Sequence, residues 1–109
     1  MTMAKKSVIQ TDQAREFSET MDERFRRKYA ALLQLLEEQG FLRAPHAEKV
    51  AGQENLFALR VMTQGNYRYF YCYDTGTIVF VLSGYSKKSN EIPRREVARA
   101  VQIRKELGL

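Results

Sequence analysis

The chain has 109 residues, 44% of them hydrophobic and 28% charged, with a formal net charge of +5, which fits one globular domain over residues 1–109 that buries roughly 65% of the surface its unfolded chain would expose. No apolar run approaches the roughly 20 residues of a membrane helix, and the opening MTMAKKSVIQ has no apolar stretch of signal-peptide length, so a cytoplasmic protein with no membrane partner is expected. The single cysteine, Cys72, excludes an internal disulfide, and no Cys/His cluster suggests a metal.

Residues 7–11 read as a short edge strand, and Thr11 or Asp12 can cap a short helix to about Glu19. Thr20-Met21-Asp22-Glu23 matches a capping box, in which Thr20 and Glu23 each satisfy the other's free backbone N–H. The helix it opens carries Met21, Phe25, Tyr29, Leu32, Leu33 and Leu36 at three-to-four spacing, one apolar stripe. Gly40 suits its C-terminal end. Arg24, Arg26, Arg27 and Lys28 sit on this helix, but Asp22–Arg26 and Glu23–Arg27 are i,i+4 pairs, and a solvated face is expected. Residues 41–53 read as a loop broken by Pro45 and Gly52, with the only histidine, His46, at the surface.

Residues 56–62, 67–74 and 77–83 are rich in aromatic and β-branched side chains and read as three strands. Gln64-Gly65-Asn66 and Asp74-Thr75-Gly76 separate them, and connections this short dictate an antiparallel meander. Cys72, inside a strand, is expected to be buried and inert. A last helix runs from about Pro93 to Leu107, with Pro93 at its first position and Val97, Ala100, Val101 and Leu107 facing inward. The expected fold class is α+β: two N-terminal helices, a three- or four-stranded antiparallel sheet and a C-terminal helix. The helices gather on one side and the other sheet face stays partly open.

A basic balance suits polyanions such as nucleic acid, the ribosome or an acidic protein segment. The excess lies late: residues 84–109 hold seven Lys/Arg against three Asp/Glu, whereas residues 1–40 hold seven of each. There is no Gly-rich phosphate loop, GxSxG, HExxH or CxxC. What remains is a set of cations and tyrosines around the sheet: Arg60, Arg68, Tyr67, Tyr69, Tyr71, Tyr85, Lys87, Lys88, Arg94 and Arg95. Arg94 and Arg95 open the last helix, where the macrodipole favours anions, and a bound phosphate would offset their mutual cost. Arg60 and Arg68 share a sheet face if the first hairpin has a three-residue loop, which would set Arg60 near Phe70.

The order L-F-A-L-R-V, Y-R-Y-F-Y, T-I-V-F-V-L-S-G-Y-S-K-K and I-P-R-R-E-V-A-R-A over residues 56–100 resembles the RelE/HigB class of toxins of type II toxin–antitoxin systems, in particular the phage-derived-protein-like branch of the RelE/ParE superfamily. The matching positions are Arg60, Tyr67-Arg68, Ile78-Val79, Gly84-Tyr85, Lys87-Lys88, Pro93 and Glu96-Val97. The resemblance implies a RelE/ParE-like microbial RNase fold and a cognate antitoxin, expected to be a helix-turn-helix protein. It also implies metal-independent cleavage of mRNA on the ribosome, with no cofactor. It assigns Arg68 and Lys88 to the scissile phosphate. Lys87 or Tyr85 would move protons, and Arg60, Arg94, Arg95, Tyr69 and Tyr71 would bind RNA, tyrosines by stacking on bases. Leu56 and Ala58 stand where RelE carries lysines, and Ser83 where many relatives have histidine. A ParE-like inhibitor of DNA gyrase, or a non-catalytic module binding nucleic acid or a protein partner, would fit the same fold.

Overall fold

In the computed structural model, which describes residues 5–88 and 90–109, the elements run β1 (Ser7–Gln10), α1 (Asp12–Glu19), α2 (Glu23–Gln39), β2 (Ala47–Lys49), β3 (Phe57–Met62), β4 (Asn66–Asp74), β5 (Ile78–Ser86) and α3 (Arg94–Glu106). They form an α+β fold on one five-stranded sheet of order β1-β5-β4-β3-β2. The meander β3–β4–β5 is antiparallel as expected. The sheet as a whole is mixed, because β1 pairs parallel with β5 from Ser7↔Ile78 to Gln10↔Val81. A distant strand leaves no local signal of its partner or direction. The fifth strand, β2, comes from the stretch read as loop: its three residues pair with β3 at Ala47↔Leu59 through Lys49↔Phe57. Among the described residues no helix is long and apolar enough to cross a membrane.

Local chemistry starts and stops the helices. The Thr11 hydroxyl accepts from the Ala14 N–H at 3.1 Å and opens α1. Asp22, rather than Thr20, caps α2, its carboxylate accepting from the Phe25 N–H at 2.9 Å. Thr20 instead donates to the Phe17 carbonyl at the end of α1. Gly40 ends α2 in the left-handed region at φ 80°, donating to the Leu36 carbonyl at 2.8 Å. The α2 stripe Phe25, Tyr29, Leu32 and Leu36 is buried against the odd-numbered side chains of β4. Tyr29 stacks on Tyr69 with centroids 4.0 Å apart, and Phe17 and Phe25 meet Tyr67 and Tyr69 edge-on or tilted.

Gly84 of β5 is the close approach that lets this cluster form. A Cβ there would lie 2.7 Å from Phe17 Cδ2 and 2.8 Å from Tyr69 Cε2. Gly84→Ala is therefore expected to destabilise the protein by about 1–3 kcal/mol through overpacking. Chemical denaturation measures the loss.

The helices do not gather on one side. α1 and α2 cover the face carrying Leu59, Val61, Tyr69, Tyr71, Val79 and Val81, whereas α3 covers the other, over Ala58, Phe70, Cys72, Leu82 and Tyr85. An amphipathic stripe says that a helix packs but not against which face, so α3 closes the face expected to be open. Between Phe70 and Tyr71 the β4–β5 register slips by one: Tyr71 pairs with Val81 and Phe70 with Ser83, leaving Leu82 as the extra residue of a β-bulge. β5 also continues past its expected end and carries Tyr85 inside the sheet. Cys72 is buried and its thiol is pushed up to about 11, mainly by burial, as expected for an inert position.

Burial also raises the phenols of Tyr29, Tyr69 and Tyr71 well above the usual tyrosine range. The unfolded chain releases those protons near pH 10, while the folded chain keeps them. Stability is then fully present below about pH 10 and falls as pH rises from there toward the folded values. Melting temperatures between pH 8 and 11 should hold level and then drop.

Candidate functional site on the α3 face of the sheet

The hairpin between β3 and β4 turns through Thr63-Gln64-Gly65, so Met62 pairs with Asn66 and Arg60 pairs directly with Arg68. The loop has three residues, as expected, but starts one position earlier. The parity survives, so the two arginines share a face, and the register moves by two, so Arg60 faces Arg68 rather than Phe70. Arg68 in turn pairs with Tyr85 of β5. Arg60, Arg68 and Tyr85 thus form one cross-strand row. The next row on the same face is Glu48, Ala58, Phe70 and Ser83. Phe70 stacks on Tyr85 with centroids 5.3 Å apart, and Ile92, Val97 and Val101 pack over them.

This face holds an unusual number of polar atoms without partners. Arg68 is 2% exposed and Tyr85 4%. Arg60 Nε, Arg68 Nε, Ser83 Oγ and Tyr85 Oη are all buried without a hydrogen-bond partner. Each such group leaves a desolvation penalty of about 1–3 kcal/mol uncompensated, and more where charge is involved. Arg68 donates from Nη1 to the Tyr67 carbonyl at 3.1 Å and to the Asn66 side-chain oxygen. No carboxylate pairs with Arg60 or Arg68 among the described residues: the ion pairs are Arg15–Asp12, Arg27–Glu23 and Arg95–Glu96.

The electrostatics agree. The Arg68 guanidinium is pulled below its usual range first by burial and then by Arg60, with Glu48 and Tyr85 opposing. The Tyr85 phenol is pushed up to about 12, chiefly by burial, against the effect of Arg68, with Glu96 and Glu48 adding to the rise. Tyr85 is therefore a neutral hydrogen-bond donor at physiological pH. Two guanidiniums held side by side, Arg68 buried and Arg60 half-buried, suit an anion. The charges of Glu96 and Glu48 act on Tyr85, and Glu48 sits in the adjoining row of the same face.

The remaining expected residues distribute unevenly. Tyr69 and Tyr71 are 0% and 1% exposed and face α1 and α2, not the arginine row. Strand alternation places them opposite Arg68, and neither is available to stack on a base. The Lys87 N–H donates to the Asn66 carbonyl at 2.7 Å, so the chain still runs beside β4 there. Lys88 is exposed next to it, and among the described residues no contact joins either lysine side chain to Arg68. Arg94 and Arg95 are exposed at the start of α3. Arg94 lines a cleft of about 610 Å³ with Val50, Ile92 and Val97 instead of entering the row. Arg95 lies 3.9 Å from Glu96. Glu48, Glu96 and Ser83 were not expected at the site. Glu48 gives no signal until its strand is known, because only the pairing with Ala58 puts it on this face. Among the described residues no group of three or more His, Cys, Asp or Glu side chains is placed to hold a metal ion.

Comparison with known proteins adds the following. A family profile described as phage derived protein Gp49-like matches residues 16–105. No curated protein sequence matches the chain significantly. Among solved structures, a mutant of the E. coli toxin RelE in the free state superposes with a TM-score of 0.69 at 18% identity, covering 90% of this chain and 96% of that one. A chain of the archaeal RelE–RelB complex from Pyrococcus horikoshii OT3 gives 0.60 at 18% identity over 75% and 94%. A chain of the toxin–antitoxin complex RelBE2 from Mycobacterium tuberculosis gives 0.53 at 19% identity over 81% and 98%.

Proposed function

We propose that this chain, which belongs to the phage-derived Gp49-like protein family, is the toxin of a toxin–antitoxin pair and an endoribonuclease that cuts mRNA on the ribosome without a metal. The observation that carries this reading is the Arg60–Arg68–Tyr85 row, buried at Arg68 and Tyr85 and half-buried at Arg60, with its unpartnered Nε and Oη atoms. Among the described residues no carboxylate forms an ion pair with either arginine of the row. The RelE-like fold and the resemblance of the strand motifs support the choice of an RNA phosphate as that anion.

In the proposed reaction the RNA 2′-oxygen attacks its own 3′-phosphorus, the bond from phosphorus to the 5′-oxygen breaks, and a 2′,3′-cyclic phosphate and a 5′-hydroxyl result. The 2′-hydroxyl restricts this chemistry to RNA. Arg68 and Arg60 stabilise the charge that builds on the phosphoryl oxygens. Glu48 accepts the 2′ proton, and Tyr85, protonated because burial pushes it up to about 12, donates to the departing 5′-oxygen. Lys87 and Lys88 supply further positive potential beside the row. Arg94 and Arg95 do the same from the start of α3. Arg68 and Tyr85 are nearly buried, and in the proposed reaction the N-terminal half of α3 lifts to admit the phosphate to them. That end has no side-chain cap, whereas Arg104 pins the other end to the carbonyls of Glu54 and Asn55 at 2.9 and 3.1 Å. The partner expected on this basic rim is an antitoxin with an acidic or amphipathic segment, by charge complementarity.

The test is mapping of cut sites on ribosome-bound mRNA with wild type, Tyr85→Phe and Glu48→Gln. Cleavage by wild type, reduced about 10²–10⁴-fold in each variant, is expected of lost proton transfer. Equal cutting by all three removes the proton-transfer assignments. No cutting by wild type, with inhibited DNA supercoiling, replaces the ribonuclease by a gyrase inhibitor.

A further inference from the structure

A second cationic surface meets the arginine row at the open edge of β3. β2 pairs with Phe57, Ala58 and Leu59, and the Arg60 N–H donates to the His46 carbonyl at 2.8 Å; beyond Arg60, β3 has no strand partner on that side among the described residues. There α2 and the β3–β4 turn enclose a cleft of about 780 Å³ lined by Glu23, Arg24, Arg27, Lys28, Met62, Thr63 and Gln64. Its one carboxylate is already matched, since Arg27 donates to Glu23 at 2.7 Å. Among the described residues Arg24 and Lys28 form no ion pair with a carboxylate, and Lys28 donates to the Met62 carbonyl. They are four residues apart on one helix face, about 6 Å along the axis, close to the spacing of successive phosphates on an extended single strand.

A neighbouring crevice shares Lys28 and Met62 with it and is lined further by Arg60, His46 and the apolar Leu32, Leu35 and Pro45. Arg60 therefore belongs to two surfaces: it is part of the lining of this crevice, and it is the cross-strand partner of Arg68. The charges run Arg24, Lys28, Arg60, Arg68, from solvent into the buried row. Met62, 41% exposed, adds an apolar surface between the cations, which suits a chain that alternates phosphates with bases more than it suits a run of acidic side chains.

We infer that this groove holds the single-stranded RNA flanking the cleavage point, with Arg24 and Lys28 on backbone phosphates and Arg60 passing the strand to Arg68. The inference rests on the ribonuclease reading and assigns the path of the substrate, a contribution of binding rather than chemistry. Such contacts to a single strand lower the dependence of log affinity on log salt by about 0.7 for each one lost.

The experiment measures fluorescence anisotropy of a labelled 2′-O-methyl RNA oligonucleotide, which cannot be cleaved, across a salt series. Arg24→Ala/Lys28→Ala is expected to lower the salt slope by about 1.4. Arg15→Ala/Arg26→Ala, which removes the same charge outside the groove, is expected to leave the slope within error. Arg24→Glu, away from the hairpin bond that Lys28 makes to the Met62 carbonyl, is expected to weaken binding further while melting at the wild-type temperature. Equal slope changes in the two double variants, or none in the first, overturn the groove. Binding and cleavage separate the two readings. A slope change specific to Arg24 and Lys28 with no mRNA cutting by wild type keeps the groove and removes the enzyme. Cutting by wild type with an unchanged slope in Arg24→Ala/Lys28→Ala removes the groove alone.

Discussion

Arg68→Met is expected to abolish most mRNA cleavage, by about 10²–10³-fold as for loss of one preorganised charge donor, while leaving the folded protein as stable as wild type or more so by about 1 kcal/mol. The two halves of this expectation have one cause. Arg68 is buried, its Nε has no partner, and its neighbour across the strand is another cation. A buried charge of that kind opposes folding unless something neutralises it. A methionine fills much of the same space against Phe70 and Tyr85, needs no partner and relieves the repulsion from Arg60. Denaturant midpoints and cleavage assays on the same preparations check both halves. A stability loss beyond about 2 kcal/mol, a size associated with a mechanism such as a broken buried network, would make Arg68 a structural residue and remove it from the site. Arg68→Lys is expected to remain poorly active, because an ammonium cannot reproduce the planar two-pronged geometry of a guanidinium.

Phe25→Ala is expected to cost about 3–5 kcal/mol, a large share of the 5–15 kcal/mol that typically holds a domain together. Phe25 is fully buried and its ring meets Phe17, Tyr29, Tyr67 and Tyr69 with centroids 5.0–6.3 Å apart. These edge-on and tilted contacts join α1, α2 and β4, so a cavity there loosens three elements together. Urea denaturation measures the loss, and Phe25→Leu should cost less because it leaves a smaller void. The effect falls on stability and protein level. The arginine row lies on the opposite face, so activity per folded molecule should persist. That separates Phe25 from Arg68, whose replacement should do the reverse.

Much of this fold was legible in the chain because its signals are local. The three meander strands announce themselves by β-branched and aromatic runs between tight turns, and α2 by its stripe and by Gly40. What stayed hidden depends on distant partners. β2 is three residues long and exists through β3, β1 finds a parallel neighbour far along the chain, and α3 could have packed on either face. The candidate site divides the same way. That Arg60 and Arg68 share a face follows from hairpin parity, and parity alone also puts Tyr69 and Tyr71 on the other side, an inference open to anyone counting along β4. Glu48 and Glu96 approach Tyr85 from separate elements, and no spacing in the sequence relates the three.

The extra residue at Leu82 bears on how such a protein can change over generations. Val79 and Val81 point toward α1 and α2, yet Tyr85, also odd-numbered, points toward α3. Loss of a single codon here would straighten the strand and keep its pairing with β4. Ser83 would then follow Val81 directly, opposite Phe70, while Gly84 stays toward the aromatic cluster and Tyr85 stays opposite Arg68. Descendants could therefore gain or lose this one residue and inherit both the architecture and the arginine–tyrosine row, whereas a one-residue change elsewhere in the paired strand would put the side chains beyond it on the wrong face.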